Sequence, residues 1–163
     1  MTATAPNLTD EVRDLLNGSA TDVFATMFSL AAQPVPPKDL RAENEPIVAG
    51  SVGFIGDVNG VVYIIVQASF ARTLACGMLG LSEADLDGDE MVNDVMGELS
   101  NMVVSAVKSQ LCDRGLSCVL TIPSVVRGQC LSVEPAKAVD RRRLDFQCGA
   151  GHVVVDLQLK PIK

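Results

Sequence analysis

The stretch from about Gly88 to Asp113 constrains this chain more than any other. It runs without a proline, and apolar residues return every three or four positions, which is the spacing of one face of an α-helix. On a wheel of about 100° per residue, Val92, Val95, Met96, Leu99, Met102, Val103, Ala106 and Val107 form a single broad apolar face. A helix so built must lie against a second layer. Opposite that face, Asp94, Glu98, Asn101, Ser105 and Lys108 fall within a polar strip of roughly 80° by the same geometry. Asp87 is placed to cap the first turn, with Glu90 three residues on as its reciprocal partner. Gly115 supplies the stop.

The second layer is legible as strands. Ile47 to Gly56 and Gly60 to Gln67 are rich in Val and Ile and flank the turn Asp57-Val58-Asn59-Gly60. A short helix from about Ser69 to Leu79 follows, ended by Gly80. Beyond the long helix, Leu116 to Ile122, a patch near Val125 to Leu131, Arg143 to Gln147 and His152 to Leu159 read as β, the last with clean alternation at its end. At the other end, Leu8 to about Ala32 reads as a helix with Val12, Leu15, Leu16, Val23, Phe24, Met27 and Phe28 on one stripe. Asn17-Gly18-Ser19 is expected to bend or split it, and Gln33-Pro34-Val35-Pro36-Pro37 to begin a loop reaching about Pro46. Residues 1–7 are expected to be disordered. The whole of 1–163 reads as a single α/β (α+β) domain, helices packed on a predominantly antiparallel sheet.

Composition excludes several functions. A net charge of -7 and 4% aromatic residues suit neither a polyanion nor stacked bases, so nucleic acid is excluded as a partner. No uncharged apolar run approaches the ~20 residues of a membrane span, and the N-terminus lacks the basic and apolar regions of a secretion signal. Cys76, Cys112, Cys118, Cys130 and Cys148 have no short ligand spacing, so the expectation is reduced thiols acting as small buried hydrophobes in a cytoplasmic protein.

The polar strip carries an ordered motif. Asp94-Val-Met-Gly-Glu98-Leu-Ser-Asn101, with Pro123 further on, resembles the D/S-x3-E-x2-N…P signature of the CheC/CheX/FliY chemotaxis phosphatase family, and the surrounding Val-Met-Gly-Glu-Leu-Ser-Asn-Met-Val-Val-Ser is most similar to CheX. The glycine-punctuated hairpin Gly50-Ser-Val-Gly-Phe-Ile-Gly-Asp-Val-Asn-Gly-Val-Val-Tyr is similar too, and the resemblance runs from about residue 20 to the end. The interval from Asn101 to Pro123 is one residue shorter than the family spacing, a difference that a loop absorbs.

The resemblance implies a CheC-like fold and hydrolysis of the phospho-aspartate of a CheY-like receiver domain. It implies no cofactor of the chain's own, with Mg²⁺ carried by the receiver. Glu98 and Asn101 become the candidate catalytic residues: Asn101 orients the attacking water and Glu98 pairs with a receiver lysine. Asp94 and Ser105 become partner-binding candidates, Asp94 with a supporting role in docking or capping. A homodimer formed through the sheets is implied as well. The first helix has no second E-x2-N, which favours the one-site CheX type. The competing readings are a receiver-binding adaptor without catalysis and a flagellar-switch structural protein of the same fold.

Other motifs carry less. Glu83-Ala-Asp85-Leu-Asp87-Gly88, with Asp94 at the twelfth place, resembles a calcium loop, but its end residues are wrong and it runs into a helical pattern, so acidic helix capping is the better account and no metal site is expected. Arg141-Arg142-Arg143 reads as a solvated hairpin loop. His152 starts a strand with no acid partner close in sequence. Met91, Met96 and Met102 have the spacing of core residues.

Overall fold

The computed structural model describes residues 7–160. Three helices, α1 (Leu8–Phe28), α2 (Ala68–Leu79) and α3 (Gly88–Asp113), pack on one face of a seven-stranded sheet whose pairings are all antiparallel. The strands are β1 (Ala32–Pro34), β2 (Ile47–Gly56), β3 (Gly60–Gln67), β4 (Cys118–Leu120), β5 (Ser124–Gly128), β6 (Asp140–Cys148) and β7 (Gly151–Leu159). Their order is β1-β6-β7-β3-β2-β4, with β5 also pairing β2.

The β2–β3 hairpin has the predicted limits because Asn59 closes its turn, accepting from Gly56 N at 3.1 Å and donating to Gly56 O at 2.8 Å. The β6–β7 hairpin turns on Gly149 and Ala150, with Gly149 at φ +61°. Val153, Val155, Leu157 and Leu159 of β7 point into the main core with Val48, Val52 and Phe54 of β2 and with Val95, Met96, Leu99 and Val103 of α3. Val154, on the opposite face, joins Leu40 and Ile47 in a second small cluster under the segments that precede β2 and follow β5.

The first helix departs from expectation at both ends. Asn7 is not part of a disordered start: its side chain accepts from Thr9 N at 3.0 Å and caps α1, while residues 1–6 of that reading lie outside the described residues. The helix stops at Phe28, where Ser29 turns left-handed (φ 53°) and Leu30 N bonds Phe24 O at 3.1 Å. Asn17-Gly18-Ser19 does not split it. Leu15, Leu16, Ser19 and Ala20 are all buried there, and packing outweighs the roughly 1 kcal/mol that an interior glycine costs. Ala32, expected to end the helix, and Gln33 and Pro34, expected as loop, form an edge strand on β6, a position that tolerates proline.

The long helix seats on β2 through a backbone-close contact. A Cβ on Gly50 would lie 2.2 Å from Ser100 Oγ and 3.0 Å from the Met96 carbonyl oxygen. Ser100, fully buried, turns its hydroxyl back on that carbonyl at 2.8 Å. With Met96, Leu99 and Ser100 facing inward, Glu98 and Asn101 must face away from the sheet. Gly50→Ala is therefore expected to destabilise the fold by about 2 kcal/mol, as overpacking does, and chemical denaturation would show it as a lower midpoint with an unchanged slope.

Candidate functional site

The strip that faces away from the sheet is where the sequence placed the chemistry. Asp94 and Glu98 are exposed, and Asn101 and Ser105 are half-buried. Positions 98 and 101 are three apart, so their side chains lie one above the other, about 5–6 Å between Cβ atoms. Asp94 and Glu98 have no ion-pair partner among the described residues, whereas Asp89, a turn or more earlier on the helix, faces Arg127. Both project into solvent ready for an external partner.

Beside them is an open depression of about 430 Å³ lined by Asn93, Asp94, Gly97, Glu98, Pro123 and Val125. Its floor exists because position 97 has no side chain: the place a Cβ would occupy is 3.7 Å from Pro123 Cβ and 3.8 Å from Val125 Cγ2. The structure thus brings Asp94, Glu98 and Pro123 around one hollow. Asn101 is on the same helix face just beyond it, and Ser105 is a further turn away and outside it. Pro123 sits between β4 and β5, as a strand-ending proline would.

The first turn of α3 carries Asp89 and Glu90, which suit the positive end of the helix dipole. The Asp87 side chain makes no cap hydrogen bond, so the predicted capping box is not formed; Met91 Sδ instead accepts from Asp87 N at 3.5 Å. Glu83–Asp85 is a single 3₁₀ turn and Asp94 lies within α3, so the residues resembling a calcium loop do not form one.

Sequence reasoning passed over Arg127. From β5 its Nη2 donates to Asn93 Oδ1 at 2.8 Å, its Nε stands 3.7 Å from Asp89 Oδ2, and that Nε is buried without a hydrogen-bond acceptor. It is the cation that ties the start of α3 to the sheet edge. Only the β2–β5 register reveals it.

The charged groups of β6 and β7 overturn two expectations. Arg141, Arg142 and Arg143 are not a solvated loop but part of β6, and each meets an acid. Arg141 Nε donates to Asp156 Oδ2 at 2.9 Å, Arg142 Nε to Asp10 Oδ1 at 2.8 Å, and Arg143 Nε to Asp145 Oδ1 at 2.7 Å. His152 does have an acid partner, Asp145, whose Oδ2 is 2.6 Å from Nε2. The hairpin register makes them diagonal neighbours, since Asp145 opposes Val154 and Gln147 opposes His152. Desolvation alone would raise the carboxyl pKa of Asp145, but bonds from Arg143, His152 and the Lys38 amide outweigh it and leave it below 3.8. These groups hold the sheet and do not approach α3's outer strip.

Of the cysteines, Cys118 and Cys148 are buried as expected, while Cys112 and Cys130 are exposed; all five are free thiols. Burial pushes the Cys148 thiol up to about 11. No helix among the described residues is long and apolar enough to cross a membrane.

Solved structures share this architecture. The chemotaxis protein CheX from Vibrio vulnificus superposes with a TM-score of 0.79 at 24% identity, covering 95% of this chain and all of that one. A CheC-like superfamily protein from Shewanella sp. PV-4 gives 0.78 at 23% identity over 95% and 99% of the two chains. A CheX–CheY–BeF3–Mg²⁺ complex from Borrelia burgdorferi gives 0.75 at 18% identity over 91% and 97%. No curated protein sequence matches the chain. Fold and helix-borne motif together define an α+β protein of the CheC-like class. Within that class the family model of the chemotaxis phosphatase CheX matches residues 48–147, which contain α2, α3 and the hairpin before them, and the chain belongs to the CheX family.

Proposed function

We propose that this protein hydrolyses the phospho-aspartate of a CheY-like receiver domain, with Asn101 orienting the attacking water and Glu98 docking the receiver. The observation that carries this reading is the pairing of Glu98 and Asn101 on one outward face of α3, with no cavity closing over them. A small substrate would need enclosure. A phosphoryl group already held by a folded partner needs only an exposed finger.

The chemistry asks little else of this chain. Phosphoryl transfer depends on positioning and on charge stabilisation, and Mg²⁺ would come with the receiver, as its presence in the Borrelia complex suggests. An amide oxygen accepts from water while the amide nitrogen donates to a phosphoryl oxygen, so one Asn can hold both. Glu98 would meet a receiver cation; such a contact becomes strong once docking excludes water. Asp94, beside Glu98 on the same hollow, adds to the docking charge, and Ser105 marks the far edge of the face. We also propose that the 163 residues act as one cytoplasmic domain in a homodimer: Ile55 and Val119 are cross-strand neighbours at 57% and 64% exposure, an apolar surface that a second copy would cover.

The test is the decay of radiolabelled phospho-receiver with substoichiometric protein. The wild type is expected to accelerate it catalytically, and Glu98→Ala to raise KM about tenfold or more, the loss of one desolvated charged contact. Stable complexes without accelerated decay would instead make the protein an adaptor.

A further inference from the structure

The most exposed large apolar side chain among those described is Ile122, at 88%. Its position follows from a register shift. On the edge strand, Thr121 is fastened to Gly53 by two bonds, Thr121 N to Gly53 O at 3.0 Å and Gly53 N to Thr121 Oγ1 at 2.8 Å. The next pairing is Ser124 with Ser51. Ile122 and Pro123 therefore stand together opposite Val52 alone, and β4 and β5 are one strand interrupted by a bulge. Bulges of this kind re-aim side chains beside functional sites. Pro123 is turned to Gly97 and walls the hollow next to Glu98, and Ile122, the residue before it in the chain, stands free in solvent.

Neither core packing nor strand pairing explains Ile122. It contributes nothing to the core, and Pro123 beside it offers no N–H to an added strand. Its mounting is rigid on both sides, so binding through it would cost little ordering entropy. Its neighbour Pro123 shares the hollow with Asp94 and Glu98, and an apolar anchor close to charged groups is an arrangement that protein–protein contacts use.

We infer that Ile122, presented by the Ile122–Pro123 bulge, is a specificity-determining contact for the receiver, meeting an apolar patch next to the cation that Glu98 meets. This rests on the receiver reading above and names the partner surface that reading requires: an apolar patch adjoining a positive charge. Receivers without the patch are poor substrates, however well their phosphorylation sites match.

The experiment uses the full chain and a panel of purified receivers from the same genome. Binding is measured with each receiver activated by Mg²⁺ and beryllofluoride, and turnover with each phosphorylated. For the best receiver, Ile122→Ala raises KM and Kd about ten- to thirtyfold while kcat at saturation stays within about twofold, because an apolar contact held equally before and during the reaction changes binding alone. Ile122→Val restores both to within about threefold. Thermal unfolding is unchanged in both variants, since the side chain is exposed. KM within about twofold of wild type for Ile122→Ala would overturn the inference and leave the receiver reading standing. So would loss of self-association in sedimentation with receiver binding intact, which would assign Ile122 to a second copy of the chain. If the wild type binds and dephosphorylates no receiver in the panel, the receiver reading falls and takes this inference with it.

Discussion

Asn101→Ala is expected to lower kcat for phospho-receiver hydrolysis about 10²–10³-fold, the cost of removing one positioned polar group from a transition state, while Kd for the beryllofluoride-activated receiver stays within about threefold. The side chain is half-buried on the outer face of α3, so truncating it leaves the core untouched, and stability should move by no more than about 0.5 kcal/mol. Loss of turnover cannot then be charged to unfolding. Asn101→Asp sharpens the test: it keeps the shape and one acceptor but exchanges the amide donor for a negative charge facing the phosphoryl oxygens, and it should be as inactive as alanine. Single-turnover decay at saturating protein separates this from the Glu98→Ala effect, which excess protein should largely overcome. Near-normal hydrolysis by Asn101→Ala would end the proposed mechanism, and Glu98 and Asn101 would remain only as docking contacts.

The candidate strip was visible in the sequence because it lies on a helix. Helical spacing alone puts Asp94, Glu98 and Asn101 on one face, and Met96, Leu99 and Val103 on the other, without reference to the rest of the chain. The β2–β3 hairpin was equally open, since the Asn59 turn and both strands are contiguous. What sequence could not show depends on pairing between distant segments. Arg127 meets Asn93 only because β5 runs back along β2, and Ile122 is displayed only because the register slips by one residue between Thr121 and Ser124. Arg141 and Arg142 read as loop because their partners, Asp156 and Asp10, are supplied by β7 and α1. The His152–Asp145 contact was closer to reach: Gly149-Ala150 is a two-residue turn, and once the hairpin is drawn on it the two side chains become diagonal neighbours. The Asn17-Gly18-Ser19 expectation failed differently, because local propensity there opposes burial and burial wins.

Asp145 should be the most costly charge in the molecule to remove. Its side chain is 1% exposed and receives Arg143 Nε at 2.7 Å and Nη2 at 2.9 Å, His152 Nε2 at 2.6 Å and the Lys38 amide at 3.2 Å. Asp145→Ala leaves Arg143 with the Lys38 carbonyl as its remaining acceptor, and deprives a buried imidazole and a main-chain donor of theirs. The expected loss is about 3–5 kcal/mol, seen as a melting temperature lower by roughly 10 °C in a chain of this size. Asp145→Asn keeps the volume and part of the bonding, so it should fall between alanine and wild type, and it isolates the charge. Because the folded carboxyl titrates below its ordinary 3.8, ionisation stabilises the fold above that value and the benefit disappears as pH falls through the lowered folded pKa. The stability gap between wild type and Asp145→Asn should accordingly be present above 3.8 and close as pH falls below it. A gap that persists unchanged well below 3.8 would mean that packing, and not the charge, accounts for the difference. Asp145 shares its sheet face with Val154, away from the helices, whereas Glu98 and Asn101 look outward from the helix layer. Protein that remains folded should therefore retain its kcat in both variants, so that fold and chemistry fail separately.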